Sequence, residues 1–276
     1  MAPAASITIG RMVYTCFEMI RDCRVDRPEG WSYFITNYVP VIRKLVLHYR
    51  PDRDGYIDEL LLAIRNPGTP AASLFASASL APERAFVAEL RQHVLAILDA
   101  KSPLPEPEIP VDLETFAAAL EPLTLLEKQA VWLETMRYTP ADAGTLLRTG
   151  AAAIEKMREN AAAPIRARLD SWRLTMLSEN GRPLSHAAAA ATPQCLAPKA
   201  FLDLLDGRTT WRGREDLERH VRACWHCIDH NCRLLEAAEL ARRSRPLIEL
   251  EAEPFCRLLG VTTGKRPGWR RRFGAG

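Results

Sequence analysis

Four residues in the last third of the chain, Cys195, His220, Cys224 and Cys227, restrict its possible folds more than any other feature. Their spacing, Cys-x24-His-x3-Cys-x2-Cys, supplies three potential thiolates and one imidazole, the complement of a closed tetrahedral zinc site. To use them together, the chain must fold the segment around residue 195 against the one around 220–227. In a helix, His220 and Cys224 share one face, and Cys227 follows closely. One helix end is therefore expected to present three ligands, with Cys195 closing the site from an earlier helix. Four protein ligands leave no position for a catalytic water, so the expected Zn2+ is structural. Cys232 reads in two ways: a small buried hydrophobe, or an exchange thiol whose disulfide ejects the metal and makes the site redox-sensitive.

The rest of the sequence is organised by proline and by helical periodicity. Lys101–Pro110 carries four prolines in ten residues, too many for a helix interior, and reads as a semi-rigid linker. A second break runs from Asn180 to Pro193. The expected layout is a helical domain over 10–100, a linker over 101–112, a second domain over 113–178, a linker over 179–192, a zinc-binding domain over 193–243 and a basic tail over 244–276. From Arg242 onward, nine Lys and Arg face Glu249, Glu251 and Glu253, so the tail suits a phosphate backbone, an acidic surface or plain solubility.

All three blocks read as helical, and strand signals are almost absent, so the fold class is all-α. Phe34, Tyr38, Ile42, Leu45 and Val46 recur at three- and four-residue steps, with Pro40 expected to kink or divide their helix. Leu125–Met136 forms another helix, and Thr139 caps the next, with Pro140 at its first position. Arg148–Thr149–Gly150 then makes a tight turn into a third helix starting at Ala151. Helix, glycine-containing turn, helix is the pattern of a helix-turn-helix, with Ala143, Leu147, Ile154 and Met157 as its internal core.

At 276 residues and 47% hydrophobic content, the chain can bury two or three small cores. Its net charge of +3 neither demands nor excludes a nucleic-acid partner. No stretch approaches the roughly 20 apolar residues of a membrane span, and the first residues lack a signal-peptide pattern. A cytoplasmic protein without membrane contact is expected, its other cysteines reduced. No P-loop, nucleotide-binding glycine run, Gly-x-Ser-x-Gly or HExxH occurs, so no enzyme is expected.

Two segments resemble known families. Leu123–Leu169, with Glu127–Lys128–Gln129, Leu133, Thr139–Leu147 and Ala153–Ile154, looks like region 4 of the sigma-70 family, extracytoplasmic-function type. Met157 and Asn160 stand where the recognition helices of that family usually carry Arg. The first block is similar to sigma region 2 in the Trp31–Tyr49 helix and in Ile57–Asp58–Glu59–Leu60–Leu61, with Glu89 where the promoter-melting helix usually has Trp. Ala200–Arg243 resembles the zinc-binding anti-sigma domain through Leu205–Asp206–Gly207 and His220–Cys224–Cys227, with Cys195 upstream.

The resemblance implies a bacterial sigma-like transcription regulator with a fused zinc anti-sigma-like domain that packs on the sigma-like blocks. Its implied partners are core RNA polymerase, through Ile57, Asp58, Glu59 and Leu61, and promoter DNA, through Lys156, Arg158, Arg166 and Arg168. Two other readings stay open: a degenerate sigma relative serving as a zinc-containing interaction adaptor, and a DNA-binding regulator that works without polymerase.

Overall fold

The computed structural model describes residues 14–68, 73–77, 83–101, 118, 120–167 and 191–261, and every regular element among them is helical. The expected linkers lie almost wholly outside these ranges, as does the expected DNA contact Arg168. No helix among the described residues is long and apolar enough to cross a membrane.

The first block begins with α1 (Cys16–Arg24), whose start is fixed by a capping box between Thr15 and Glu18. Helix α2 (Pro28–Tyr49) runs through Pro40 without dividing. Gly30 lets α1 and α2 approach closely, since a Cβ there would lie 2.7 Å from the Cys23 backbone nitrogen. A short 3-10 turn (Pro51–Tyr56), α3 (Ile57–Arg65), α4 (Leu74–Ser77) and α5 (Glu83–Lys101) complete this part. The periodic positions of α2 form the core with α4 and α5: Phe34 meets Phe75 edge-on at 5.4 Å, and Tyr38 meets Phe86 at 5.0 Å. Such aromatic pairs add about 0.5–1.5 kcal/mol each beyond area burial.

The second block holds α6 (Leu125–Thr135), α7 (Pro140–Leu147) and α8 (Ala151–Arg166). The helix-turn-helix reading agrees with these elements in its cap at Thr139, its Pro140 start and its turn. Ala143 and Ile154 are fully buried, with Leu147 and Met157 packed beside them. The turn lies at Arg148–Thr149–Gly150, as expected. Arg148, not Gly150, takes the left-handed conformation, at φ 55°, while Gly150 is the extended N-cap of α8. The glycine that the corner needs is Gly144, where a Cβ would sit 2.8 Å from the Thr149 carbonyl oxygen.

The third block contains α9 (Pro198–Leu205), α10 (Trp211–Ala223) and α11 (Trp225–Arg243). It does not form a separate core. Phe201, Val221, Cys227 and Ile228 are buried in one cluster with Trp132, Leu133 and Ile154 of the second block. Burying Phe201 alone is worth about 1.5–3 kcal/mol. Farther along α11, Ala237 belongs to the core of the first block. One helix thus bridges both hydrophobic cores.

The expected basic tail is corrected in its first part. Residues Glu249–Leu258 form α12, which buries Ala252, Phe255 and Cys256 against the first block. The Leu247 N–H donates to the Thr36 carbonyl at 2.8 Å, and the Arg65 guanidinium donates to the Leu259 carbonyl. The apolar residues at 252, 255, 256 and 259 follow a helical period, and within α12 Glu249, Glu251 and Glu253 outnumber Arg257, so this stretch is an amphipathic helix and the basic residues cluster beyond it.

Candidate metal centre

Each side of the metal centre is placed by a local stop signal. A turn closed by the Cys195 N–H on the Thr192 carbonyl (2.9 Å) presents the Cys195 sulfur just before α9, which opens on Pro198. Helix α9 ends at Leu205, and Gly207 follows in the left-handed conformation, φ 69°, which glycine adopts without strain. Helix α10 starts on Thr210, whose hydroxyl accepts from the Gly213 N–H, and carries His220 in its last turn.

The expectation that one helix end presents three ligands is corrected. Cys224 is extended, at φ −119° and ψ 112°, and separates α10 from α11. The ligands therefore straddle a corner: His220 ends α10, Cys224 forms the bend, and Cys227 lies in the first turn of α11. An unbroken helix would keep α10 and α11 collinear, and they could not both pack on α6.

The ligand atoms of Cys195, His220, Cys224 and Cys227 all lie within 4.8 Å of one another. The Cys195 and Cys224 sulfurs are 3.7 Å apart. Two thiolates each about 2.3 Å from a tetrahedral ion lie about 3.8 Å apart, so this pair already has the spacing of a metal site. His220 Nε2 is buried without a hydrogen-bond partner, a cost that a metal bond removes. Burial pushes the Cys227 thiol up to about 12, while the Leu196 N–H opposes that shift. At Cys195 burial also acts upward, but hydrogen bonds from the Thr192 N–H and hydroxyl hold the thiol below its ordinary value. The donor set fits a metal ion, and its four protein ligands fill a tetrahedral shell.

Comparison with protein-family models, with curated proteins and with solved structures finds no match to this chain.

Helix α6 grips the metal corner from outside. Lys128 donates to the Arg222 carbonyl at 2.7 Å and lies over the Trp225 ring at 5.7 Å. Trp132 packs on Trp225 at 5.4 Å and donates its indole N–H to Asp229 at 3.1 Å. Asp229, whose pKa burial raises, is paired with Arg233 at 2.7 Å. Cys232 lies fully buried in the shared core, outside the gathered quartet, and burial drives its thiol far above the usual range. That placement favours the small hydrophobe over the exchange thiol.

The other expected contacts divide. Lys156 and Arg166 are exposed on α8. Arg158 is not available in the same way: its guanidinium donates to the Ala130 and Tyr138 carbonyls (3.3 and 3.0 Å) and pairs with Glu134. It ties α8 to the middle of α6 and to the loop that follows it. Asp58 and Glu59 are exposed on α3, whereas Ile57 and Leu61 are buried in the core.

Sequence reasoning missed the polar network at the centre of the molecule. Glu236 of α11 is fully buried. Its carboxylate accepts from Tyr49 of α2 at 2.6 Å, from Tyr138 before α7, and from Arg91 of α5. Arg91 also donates to the Tyr49 hydroxyl at 2.6 Å. All three blocks meet on one carboxylate.

Proposed function

We propose that this chain is a sigma-factor-like transcription regulator whose polymerase- and promoter-facing blocks are held closed by a fused zinc-binding domain. The observation that carries the reading is Glu236. It lies on the helix that begins at the metal corner, and it binds side chains of both sigma-like blocks at once. Zinc held by Cys195, His220, Cys224 and Cys227 would fix the start of α11, and the buried carboxylate would fix its middle. Opening the two blocks then takes Glu236 away either from Tyr138 of the second block or from Tyr49 and Arg91 of the first, and rupture of the buried Arg91 pair costs about 3–5 kcal/mol when one charge is left unpartnered.

A second reading, an interaction adaptor without promoter recognition, draws on α8. Its exposed charges, Glu155, Lys156, Glu159 and Arg166, sum to zero, and Arg158 is tied to α6. Phosphate attraction dominates DNA affinity, so this face is a poor duplex binder.

The experiment is binding of core RNA polymerase to the full zinc-loaded chain and to Glu236→Gln, with helix content checked by circular dichroism. Tighter binding by the variant, by about tenfold or more, is expected. Equal binding would remove the zinc domain from control. Absence of binding by both would leave the adaptor reading.

A further inference from the structure

Helix α12 docks on the first block through features that the block itself presents. Pro40 has no N–H, so the Thr36 carbonyl, four residues before it in α2, receives no bond from the residue that would normally supply one. The Leu247 N–H fills that gap at 2.8 Å. Farther along α2, the Arg43 guanidinium stands over the Phe255 ring at 5.0 Å. At the other end, Arg65 of α3 donates to the Leu259 carbonyl, one of the open acceptors of a helix C-terminus. Arg65 is also held by elements other than α12: it pairs with Asp26 at 3.1 Å and lies over the Trp31 ring at 5.3 Å. Between these points Ala252, Phe255, Cys256 and Leu259 are buried, with α12 resting on α2 and α3. The groove therefore offers a backbone acceptor, a cation for an aromatic ring, a cation for a helix end and an apolar floor.

Helix α12, in turn, is closed by its own residues. At its start the Glu251 carboxylate accepts from the Ile248 N–H at 2.9 Å. At its end Gly260 takes the left-handed conformation, φ 60°, and the Val261 N–H returns to the Cys256 carbonyl at 2.7 Å. Glu253 pairs with Arg257 at 2.8 Å and Glu251 with Arg245 at 2.7 Å, all within the same segment. The Lys44 ammonium on the Arg243 carbonyl, at 2.6 Å, fixes the end of α11, and the joint that follows, residues 244–248, is not helical and contains Pro246. Lifting α12 about that joint leaves its caps intact and gives up the groove contacts alone.

We propose that the groove on α2 and α3 is a helix-docking site which α12 holds closed in cis, and which opens to an amphipathic helix of a partner protein. The partner helix carries the chemistry that α12 carries: a free backbone N–H ahead of it, acidic residues in its first turn, apolar residues at i, i+3, i+4 and i+7, and an aromatic ring for Arg43. The groove stands apart from the proposed function and does not depend on it.

The test uses a fluorescein-labelled peptide of residues 245–261 as the partner helix, titrated by anisotropy into the full zinc-loaded chain and into Phe255→Asp, whose own strap is released. Saturable binding to the variant is expected, with the native chain weaker by about tenfold or more, because a tethered competitor acts at an effective concentration near about a millimolar. Adding Pro40→Ala gives the Thr36 carbonyl a donor within α2, so binding is expected to weaken by about two- to tenfold. No binding by Phe255→Asp, equal binding by the native chain, or undiminished binding with Pro40→Ala overturns the proposal. Ala252→Asp replaces Phe255→Asp if that variant loses helix content or its metal. Amide exchange of the native chain decides without any substitution: residues 249–261 are expected to exchange together and faster than α2 and α11, and protection equal to theirs overturns the proposal.

Discussion

Replacing Glu236 by Gln removes one charge while keeping shape and volume, so it isolates the electrostatic role of the central network. In the native chain the carboxylate satisfies three donors: Arg91, Tyr49 and Tyr138. The amide offers one oxygen. If that oxygen faces Arg91, the amide NH2 takes the tyrosine side, where the hydroxyls must turn to accept. If it faces the tyrosines, NH2 meets the guanidinium as donor against donor. In both orientations Arg91, with its side chain only 3% exposed, becomes a buried cation without a counter-charge.

Stranding one member of a buried pair costs about 3–5 kcal/mol. That is a large share of the roughly 5–15 kcal/mol that holds a typical domain folded. With a urea slope near about 3 kcal/mol/M, the midpoint falls by about 1 M or more. The assay is urea unfolding of the zinc-loaded chain, followed in parallel by tryptophan fluorescence and far-ultraviolet circular dichroism. Adding Arg91→Met to Glu236→Gln removes the stranded charge, so the double variant is expected to be more stable than the sum of the single losses implies. A cost for Glu236→Gln below about 1 kcal/mol, the range of solvent-exposed pairs, would refute the claim that α11 seals this network from water.

Three further outcomes follow from the same packing. Chelating the metal is expected to raise amide exchange in α6–α8 together with α9–α11, because Trp132 and Trp225 share one core; protection confined to α6–α8 after metal removal would contradict this. The depressed His230 titration makes the unfolded chain take up a proton first, so stability is full above about 6.5 and is lost as pH falls toward about 4. Between pH 7 and 5 that loss is about 2 kcal/mol, and His230→Gln should flatten the urea-midpoint profile over this range. Duplex DNA binding that rests on Lys156 and Arg166 gives a log–log salt slope no steeper than about −2, so a steeper slope would implicate other cations.

The parts legible in the sequence were those set by local chemistry. The Thr139–Pro140 start, the Gly207 stop and the four metal-ligand types act over a few residues, and the structure follows them. What failed depended on where distant helices came to rest. Pro40 looked like a breaker, yet α2 passes through it, buried on much of its surface by α1, α5 and α12. Counting charge over the whole of 244–276 hid a short apolar stripe. Arg158 sat where a DNA-contacting cation belongs, but the Ala130 carbonyl of α6 and the Tyr138 carbonyl beyond its end lie within its reach.

Glu236 is the clearest case of information that no local pattern carries. In the run Leu234–Leu235–Glu236–Ala237–Ala238–Glu239, the two carboxylates look alike, each flanked by apolar residues on a helix. One is fully buried and meets Tyr49, Arg91 and Tyr138; the other pairs at the surface with Arg242 and Arg243. Three positions on a helix turn a side chain by about 300°, which leaves the two about 60° apart, too small an angle to separate core from solvent on a helix packed on one side. On α11 it does separate them, because neighbours press from several directions: α5 and α2 on one part of its surface, α6 and α7 on another. A sequence pattern records one apolar face per helix. A helix gripped by two cores leaves a polar residue between them, and the donors there, not its neighbours in sequence, decide whether it is a liability or a clasp.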